Sequence, residues 1–359
     1  MTRRVLVIAE AGVNHDGSLQ TARELVDAAA DAGADAVKFQ TFQADALVRR
    51  EAPKAAYQRA QPGGADESQH EMLRRLELPQ HAHAELVERA RRRGLRFLST
   101  PFDVESLGFL VEHMGLETLK LSSGDLTHGP LLLAAGASGR EVILSTGMGT
   151  LGEIEAALGA LAFGYTRPEQ GPGAGAFAAA FASEAGQTIL RERVTLLHCT
   201  SEYPTPVHEV NLRCLATLRR AFGLRVGLSD HTQGIAIATA AAALGASVVE
   251  KHFTLDRDRT GPDHAASLEP QELAEMVRAI RDVERALGRA QKRPTESEKA
   301  NLPVVRRSLV TSRAVCRSEP FTPENVAVKR PAGGLSPMRY WEILGSCAGR
   351  DYAPDEPID

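Results

Sequence analysis

The chain has 359 residues, 43% of them apolar, and a formal charge of −4. That length suffices for a large core and more than one compact unit, and the near-neutral balance without a basic run excludes a protein built to hold nucleic acid or a membrane surface by charge. The opening apolar run, Val5 to Ala9, is too short for a signal-peptide core or a membrane span. Four cysteines without CxxC spacing argue against structural disulfides or a zinc knuckle and for a reducing, cytoplasmic setting.

From the N-terminus one grammar repeats: a short β-branched or leucine-rich run ends in polar side chains, and a helix-forming stretch follows. VLVIAEAGVNH ends at Glu10, Asn14 and His15, ADAVKFQT carries Lys38 and Gln40, and LRFLSTPFD ends at Ser99, Thr100 and Asp103. ETLKLSSGD brings Lys120, Ser123 and Asp125, and EVILSTGM brings Ser145 and Thr146. VTLLHCTSEYP then supplies His198, Thr200, Ser201, Glu202 and Tyr203, and the last two runs, GLSDHT and VVEKHFT, carry His231 and His252. The intervening helices have their own signals. Leu19, Ala22, Leu25, Val26 and Ala29 share a face that Gly33 closes, Leu107, Leu110, Val111 and Met114 share another, and Thr150 with Glu153 forms a capping-box pattern. Gln271 to Leu287 follows Pro270 and precedes Gly288. Eight such alternations predict a (β/α)8 barrel over residues 1–288, with its active site at the C-terminal strand ends, where the polar clusters fall.

Neighbouring parallel strands lie about 5 Å apart, so His231 and His252 can share one space and hold a divalent metal between them. His15, His198 and His264 are candidates for a third ligand or a proton carrier, although hydrogen bonding within the barrel mouth is the simpler reading. Lysine is scarce, seven of 42 basic residues, yet Lys38, Lys120 and Lys251 all sit in strand-end clusters. Lysines beside Ser/Thr/Gly-rich turns suit an anion clamp better than the alternative, a Schiff base. Two stretches break the alternation. Residues 49–70 read as a lid or a linker after the second strand, and residues 163–187, rich in Gly, Pro and Ala, read as a surface excursion with one short helix. Residues 289–301 are a polar linker, and residues 302–359 a small domain of short strands that needs a docking partner to supplement its core.

The motifs IAEAGVNHDGS, DAVKFQT, FLSTPFD, KLSSGDL, ILSTGM, LLHCTSEYPTP, GLSDHT, EKHFTLDRDRTGPDH and VKRPAGG, in this order, resemble the sialic acid synthases, the phosphoenolpyruvate-dependent N-acetylneuraminate synthase family. The resemblance implies a (β/α)8 barrel followed by an antifreeze-like SAF domain that packs over the partner's active site in a domain-swapped homodimer. It implies that His231 and His252 bind manganese, or magnesium or cobalt in its place, with Glu250 beside the metal. Lys38, Thr100, Lys120, Ser123, Ser145 and Ser229 match positions that hold phosphoenolpyruvate. Glu10, Gln40, Asp125, Tyr203 and Asp263 match positions around the sugar and the reacting carbons, and Arg330 matches the arginine a partner presents to the sugar's N-acyl group. Three positions depart from the pattern: Asp125 stands for glutamate, Ser201, at a phosphoenolpyruvate contact, for asparagine, and Lys251 for arginine. The implied reaction joins phosphoenolpyruvate to an N-acylated amino sugar with C–O cleavage. N-acetylmannosamine, giving N-acetylneuraminate, is the first expectation, and a diacetamido-6-deoxy hexose, giving legionaminic or pseudaminic acid, the alternative. A carbohydrate- or ice-binding protein without chemistry is the third reading, and the intact set of lysines, carboxylates and histidines argues against it.

Overall fold

The computed structural model describes residues 4–59, 67–167 and 169–359. Eight strands form one parallel sheet: β1 (Leu6–Gly12), β2 (Ala36–Thr41), β3 (Arg96–Pro101), β4 (Thr118–Leu121), β5 (Glu141–Ser145), β6 (Val194–Cys199), β7 (Arg225–Asp230) and β8 (Val248–His252). The hydrogen-bonded order is β3-β2-β1-β8-β7-β6-β5-β4, and β3 lies against β4, so the sheet curls into the expected (β/α)8 barrel. The chain divides into two compact units, Met1–Gly288 and Arg289–Asp359.

Side chains that alternate along a strand divide the barrel into an outer and an inner core. Outward residues such as Val7, Val37, Leu119, Leu144, Leu196 and Val249 pack with the helices in the main apolar cluster. Inward residues Ile8, Ala36, Leu98, Ile143, Leu197 and Val248 form a separate waist layer. At that waist Gly227 is obligatory: a Cβ there would stand 2.4 Å from the Val248 carbonyl oxygen and 2.8 Å from Leu197 Cδ2. The waist closes the barrel interior, so the inward residues above it face a mouth and those below it face the opposite end.

The helices follow their sequence signals within a residue or so. Ser18 caps the helix Leu19–Asp31, and Thr150 and Glu153 complete a reciprocal capping box at the head of Leu151–Thr166. The run after Asp103 is helical, but its second half, Phe109–His113, widens into a π-helical turn. The 163–187 stretch differs from expectation. It contains the helix Ala174–Ala182 and the start of a second, Glu184–Arg193, and the first packs on Leu151–Thr166 through Phe163 and Phe177, whose rings meet edge-on at 5.3 Å. Alanine-rich composition favours helix, and Gly159 lets the two backbones touch, since a Cβ there would lie 2.7 Å from the Phe177 carbonyl oxygen. Pro168 lies outside the described residues, as do residues 60–66 of the 49–70 stretch. Just beyond the latter, Ser68 and Glu71 cap the helix Gln69–Leu76, whose buried Met72 and Leu76 cluster with Val13 and Phe42 above the β1 and β2 ends.

The second unit has an antiparallel pair, β9 (Ser308–Thr311) and β10 (Val326–Lys329). Its core is small: Leu309, Val315, Phe321, Val326, Ile343, Ala348, Tyr352 and Ile358.

Candidate active site

Parallel register sets the levels of the mouth. Glu10 pairs across with Lys38 on β2 and with His252 on β8, Ser229 on β7 pairs with Glu250, and Cys199 on β6 pairs with Ser229. The same two-residue alternation that fills the waist therefore aims these side chains into a cavity of about 590 Å³ at the C-terminal strand ends. Of the site residues expected from the sequence, every one but Arg330 lines that cavity. Arg330 belongs to the second unit, exposed just after β10.

At the floor sits a buried charge cluster. Lys38 Nζ lies 2.7 Å from Glu10 Oε2 and 3.6 Å from Glu250 Oε2, and donates to Thr100 Oγ1 at 3.0 Å. Lys120 Nζ lies 3.4 Å from Glu250 Oε1, which also accepts from Ser229 Oγ at 2.8 Å. All four ionisable groups are almost fully buried, and their environments push them apart. Burial raises the Glu10 carboxyl well above the usual carboxylate range, and the Glu250 charge adds to that despite Lys38. Burial would raise Glu250 too, but the Lys120 and Lys38 charges and the Ser229 hydrogen bond hold it low. Burial lowers Lys120, whereas Lys38, equally buried, is raised by Glu10 and Glu250. Two buried ammonium groups sharing two carboxylates at 2.7–3.6 Å form a floor that a dianion can enter by taking over contacts the carboxylates now hold.

Beside the lysines lies a hydroxyl cradle. Ser123 Oγ accepts from the Gly147 backbone N–H at 2.9 Å and lies 3.0 Å from Cys199 Sγ, while the buried Ser145 Oγ has no hydrogen-bond partner. Gly147 is required for this, because a Cβ there would stand 2.5 Å from Ser201 Oγ, 2.8 Å from Ser123 Oγ and 2.9 Å from Cys199 Sγ. Asp125, on the turn after β4, accepts from Ser122 Oγ at 2.5 Å, and its carboxyl is raised by burial.

The histidines complete the mouth. His231 and His252 stand with ring centroids 5.5 Å apart, and the Tyr203 ring stacks on His231 at 4.1 Å. His231 donates through Nδ1 to the Thr200 carbonyl oxygen at 2.7 Å, so Nε2 keeps its lone pair, the arrangement typical of a metal-ligating imidazole. His252 Nδ1 is buried without a hydrogen-bond partner, 3.6 Å from Asp263 Oδ2. Burial lowers both imidazoles, His231 to about 4, and raises Asp263 to about 6. Neutral imidazoles, one with its tautomer fixed and one with an orphaned nitrogen, fit a divalent cation. Among the described residues no cluster of three or more His, Cys, Asp or Glu side chains has metal-binding geometry.

The other candidates resolve as hydrogen-bonding residues. His15 Nδ1 accepts from the Gly17 N–H at 3.0 Å, His198 Nε2 donates to the Val210 carbonyl oxygen at 2.6 Å, and His264 lies between Thr254 and Asp16. Lys251 does not join the lysine floor. Flanked by inward Glu250 and His252, it points to the outer side of β8, where its ammonium lies 2.8 Å from Asp230 Oδ2 in a fully buried ion pair. Sequence reasoning passed over Cys199 and the apolar wall formed by Leu47, Val48, Met72, Leu73, Leu76 and Phe102. Cys199 was legible as the inward neighbour of Leu197, and Met72 and Leu76 from the Ser68/Glu71 capping box ahead of them.

The chain is similar to several known proteins. The N,N'-diacetyllegionaminic acid synthase from Campylobacter jejuni is 46% identical over 99% of both chains, and the enzyme of the same name from Legionella pneumophila is 42% identical over 95% of this chain and 89% of its own. A pseudaminic acid synthase from Campylobacter jejuni and the human N-acetylneuraminate-9-phosphate synthase are each 32% identical over more than nine-tenths of this chain. The crystal structure of the N-acetylneuraminic acid synthetase from Leptospira borgpetersenii superposes with a TM-score of 0.67 at 33% identity, covering 84% of this chain and 90% of that one. A (β/α)8 barrel with a buried lysine–carboxylate floor at its mouth, in this company, is a phosphoenolpyruvate-dependent transferase that forms carbon–carbon bonds. The chain belongs to the NeuB family, whose model matches residues 25–292, and the SAF domain model matches residues 306–359.

Proposed function

We propose that this enzyme condenses phosphoenolpyruvate with a diacetamido-6-deoxy hexose and water, releasing phosphate and a legionaminic-type nine-carbon acid. This reverses the order of the two sugars expected from the motifs, which put N-acetylmannosamine first. The observation that carries it is the step in identity: 46% and 42% to two diacetyllegionaminic acid synthases, against 32% to the pseudaminic and N-acetylneuraminate-9-phosphate enzymes. The apolar wall from Leu47 to Leu76 and Phe102 supports it, because a 6-methyl group and two acetamido methyls gain by leaving water where a hydroxymethyl would not.

In this reading Lys38 and Lys120 hold the phosphate and carboxylate of phosphoenolpyruvate, with Thr100, Ser123, Ser145, Ser201 and Ser229 supplying hydroxyls around them. C3 of the enol then attacks the aldehyde carbon of the sugar, water adds to the resulting cationic C2, and the tetrahedral adduct expels phosphate with cleavage of its C–O bond. Glu10, whose carboxyl lies near neutrality rather than in the acid range, is the proton carrier for the water. Gln40, Asp125, Tyr203 and Asp263 orient the sugar, and Arg330 reaches its N-acyl group from the partner of a domain-swapped homodimer. His231 and His252 would hold a divalent metal, manganese first, with Glu250 beside it, and a bound metal supplies a Lewis acid for the aldehyde oxygen.

The test is phosphate release from phosphoenolpyruvate with manganese present, each sugar offered separately. Turnover with a diacetamido-6-deoxy sugar at a kcat/KM at least about tenfold above that with N-acetylmannosamine is expected, in keeping with the value of a buried methyl or two. Preference for N-acetylmannosamine would keep the chemistry and overturn the substrate.

A further inference from the structure

Below the waist the barrel carries a second cavity, of about 490 Å³, at the N-terminal strand ends. Its roof is the waist layer itself, Leu98, Ile143 and Val248, and the next inward positions down are Arg96 on β3, Glu141 on β5, Thr195 on β6 and Arg225 on β7. Arg4 and Arg193 stand at the rim. In a chain of net charge −4, four guanidinium groups against two carboxylates, Asp35 and Glu141, leave this cavity with a surplus of two positive charges.

The carboxylates do not use up the arginines. Asp35 is taken by Arg4 and Arg281, and Glu141 accepts only a long 3.4 Å bond from Thr118 Oγ1. Among the described residues Arg96 and Arg193 have no carboxylate partner within 4 Å, and Arg225 reaches only the Glu192 carbonyl oxygen, with its Nε buried and without a partner. Thr195, 5% exposed, lines the cavity, and its hydroxyl has no hydrogen-bond partner among the described residues. Like charges gathered without counter-charges destabilise a fold rather than support it, which sets this end apart from the usual stability role of a barrel's N-terminal face.

We infer that the N-terminal end of the barrel is a binding site for a phosphate-bearing dianion, held by Arg96, Arg193 and Arg225 and the Thr195 hydroxyl. Paired guanidinium forks suit the tetrahedral oxygens of a phosphate, and the volume falls in the range of small-molecule sites, so the organic part of a phosphate ester has room. The site is separate from the catalytic mouth, divided from it by the waist layer, and the inference does not depend on which sugar the mouth takes.

Isothermal titration of the full chain with inorganic phosphate and, separately, with a nucleoside monophosphate tests this. Arg96 and Arg193 are exposed, so the Arg96→Gln/Arg193→Gln double variant retains its fold, checked by an unchanged Tm in the absence of ligand. The parent is expected to bind one equivalent that the double variant binds at least tenfold more weakly, while kcat and KM for phosphoenolpyruvate stay within twofold. Thr195→Val, nearly isosteric, is expected to weaken the same equivalent severalfold. Binding of either probe at this site upholds the inference, and the tighter one tells inorganic from organic phosphate. Equal stoichiometry and affinity for both probes in the parent and the double variant would overturn it.

Discussion

His252 illustrates how much one side chain has to settle at the mouth. It is buried, neutral, within reach of Asp263, and its Nδ1 has no hydrogen-bond partner. An orphaned buried nitrogen costs about 1–3 kcal/mol, a cost a ligand role explains. His252→Ala is expected to retain the fold, to lose manganese binding measured by equilibrium dialysis, and to lower kcat at least about 100-fold, more than is lost when only a residue supporting a ligand is removed. Retained metal stoichiometry in the variant would remove His252 from the ligand set. Lys251, its neighbour, shows what a one-residue step does. The motif EKHF lists three polar side chains in a row, and only alternation on β8 tells that Glu250 and His252 enter the site while Lys251 leaves it. Charge near a strand end was therefore legible in the sequence, whereas the side of the strand needed the period counted from the apolar waist.

Among the elements, the turn after β5 shows a constraint that residue type alone conveys poorly. Gly147 has no side chain because Ser123 from the end of β4 and Cys199 and Ser201 from the end of β6 converge on it. Gly147→Ala is expected to push that hydroxyl cradle apart by several tenths of an ångström or more, lowering kcat/KM for phosphoenolpyruvate about 100-fold while far-UV circular dichroism stays unchanged. A variant with parental kcat/KM would mean the cradle does not grip the substrate. Strand number, helix faces and capping boxes were all readable in advance, because they depend on local period and on side chains three residues apart. The 163–187 stretch showed only one of its helices, since Gly and Pro punctuation outweighs a pattern of featureless alanine, and Gln69–Leu76, only two turns long, is announced by nothing but the Ser68/Glu71 capping pair.

For the whole molecule, acid is the revealing perturbation. Burial lowers His15 to about 4 and also lowers His83 and His198. An unfolded imidazole titrates near 6.5, so between about 6.5 and 4 the unfolded chain binds protons that the folded His15 refuses. Its contribution to stability is whole above pH 6.5 and is lost as the pH falls toward 4, reaching about 3 kcal/mol for His15 alone. The Tm measured from pH 7 down to pH 5 should drop less steeply in His15→Asn than in the parent, and equal slopes would show that His15 is not the sensor. Arg330, exposed in the second unit, belongs to this scale as well. If it serves a partner's sugar site, Arg330→Ala raises KM for the sugar at least tenfold and KM for phosphoenolpyruvate little, and the reverse pattern would reject the cross-dimer role. The chain divides into two units after Gly288, and no single-chain pattern says which copy an exposed arginine serves.

The hydrogen bond from His231 Nδ1 to the Thr200 carbonyl oxygen has a bearing on engineering. The loop that carries Thr200 also carries Ser201 and Tyr203, and it is tied back by the Thr205 N–H donating to the His231 carbonyl oxygen at 2.9 Å. Anyone transplanting this loop from a relative to retune sugar preference would also be rewriting the tautomer of an imidazole on the neighbouring strand end. Grafts that keep the carbonyl direction at position 200 and the return bond at position 205 are the ones to build first, with side chains varied only between them.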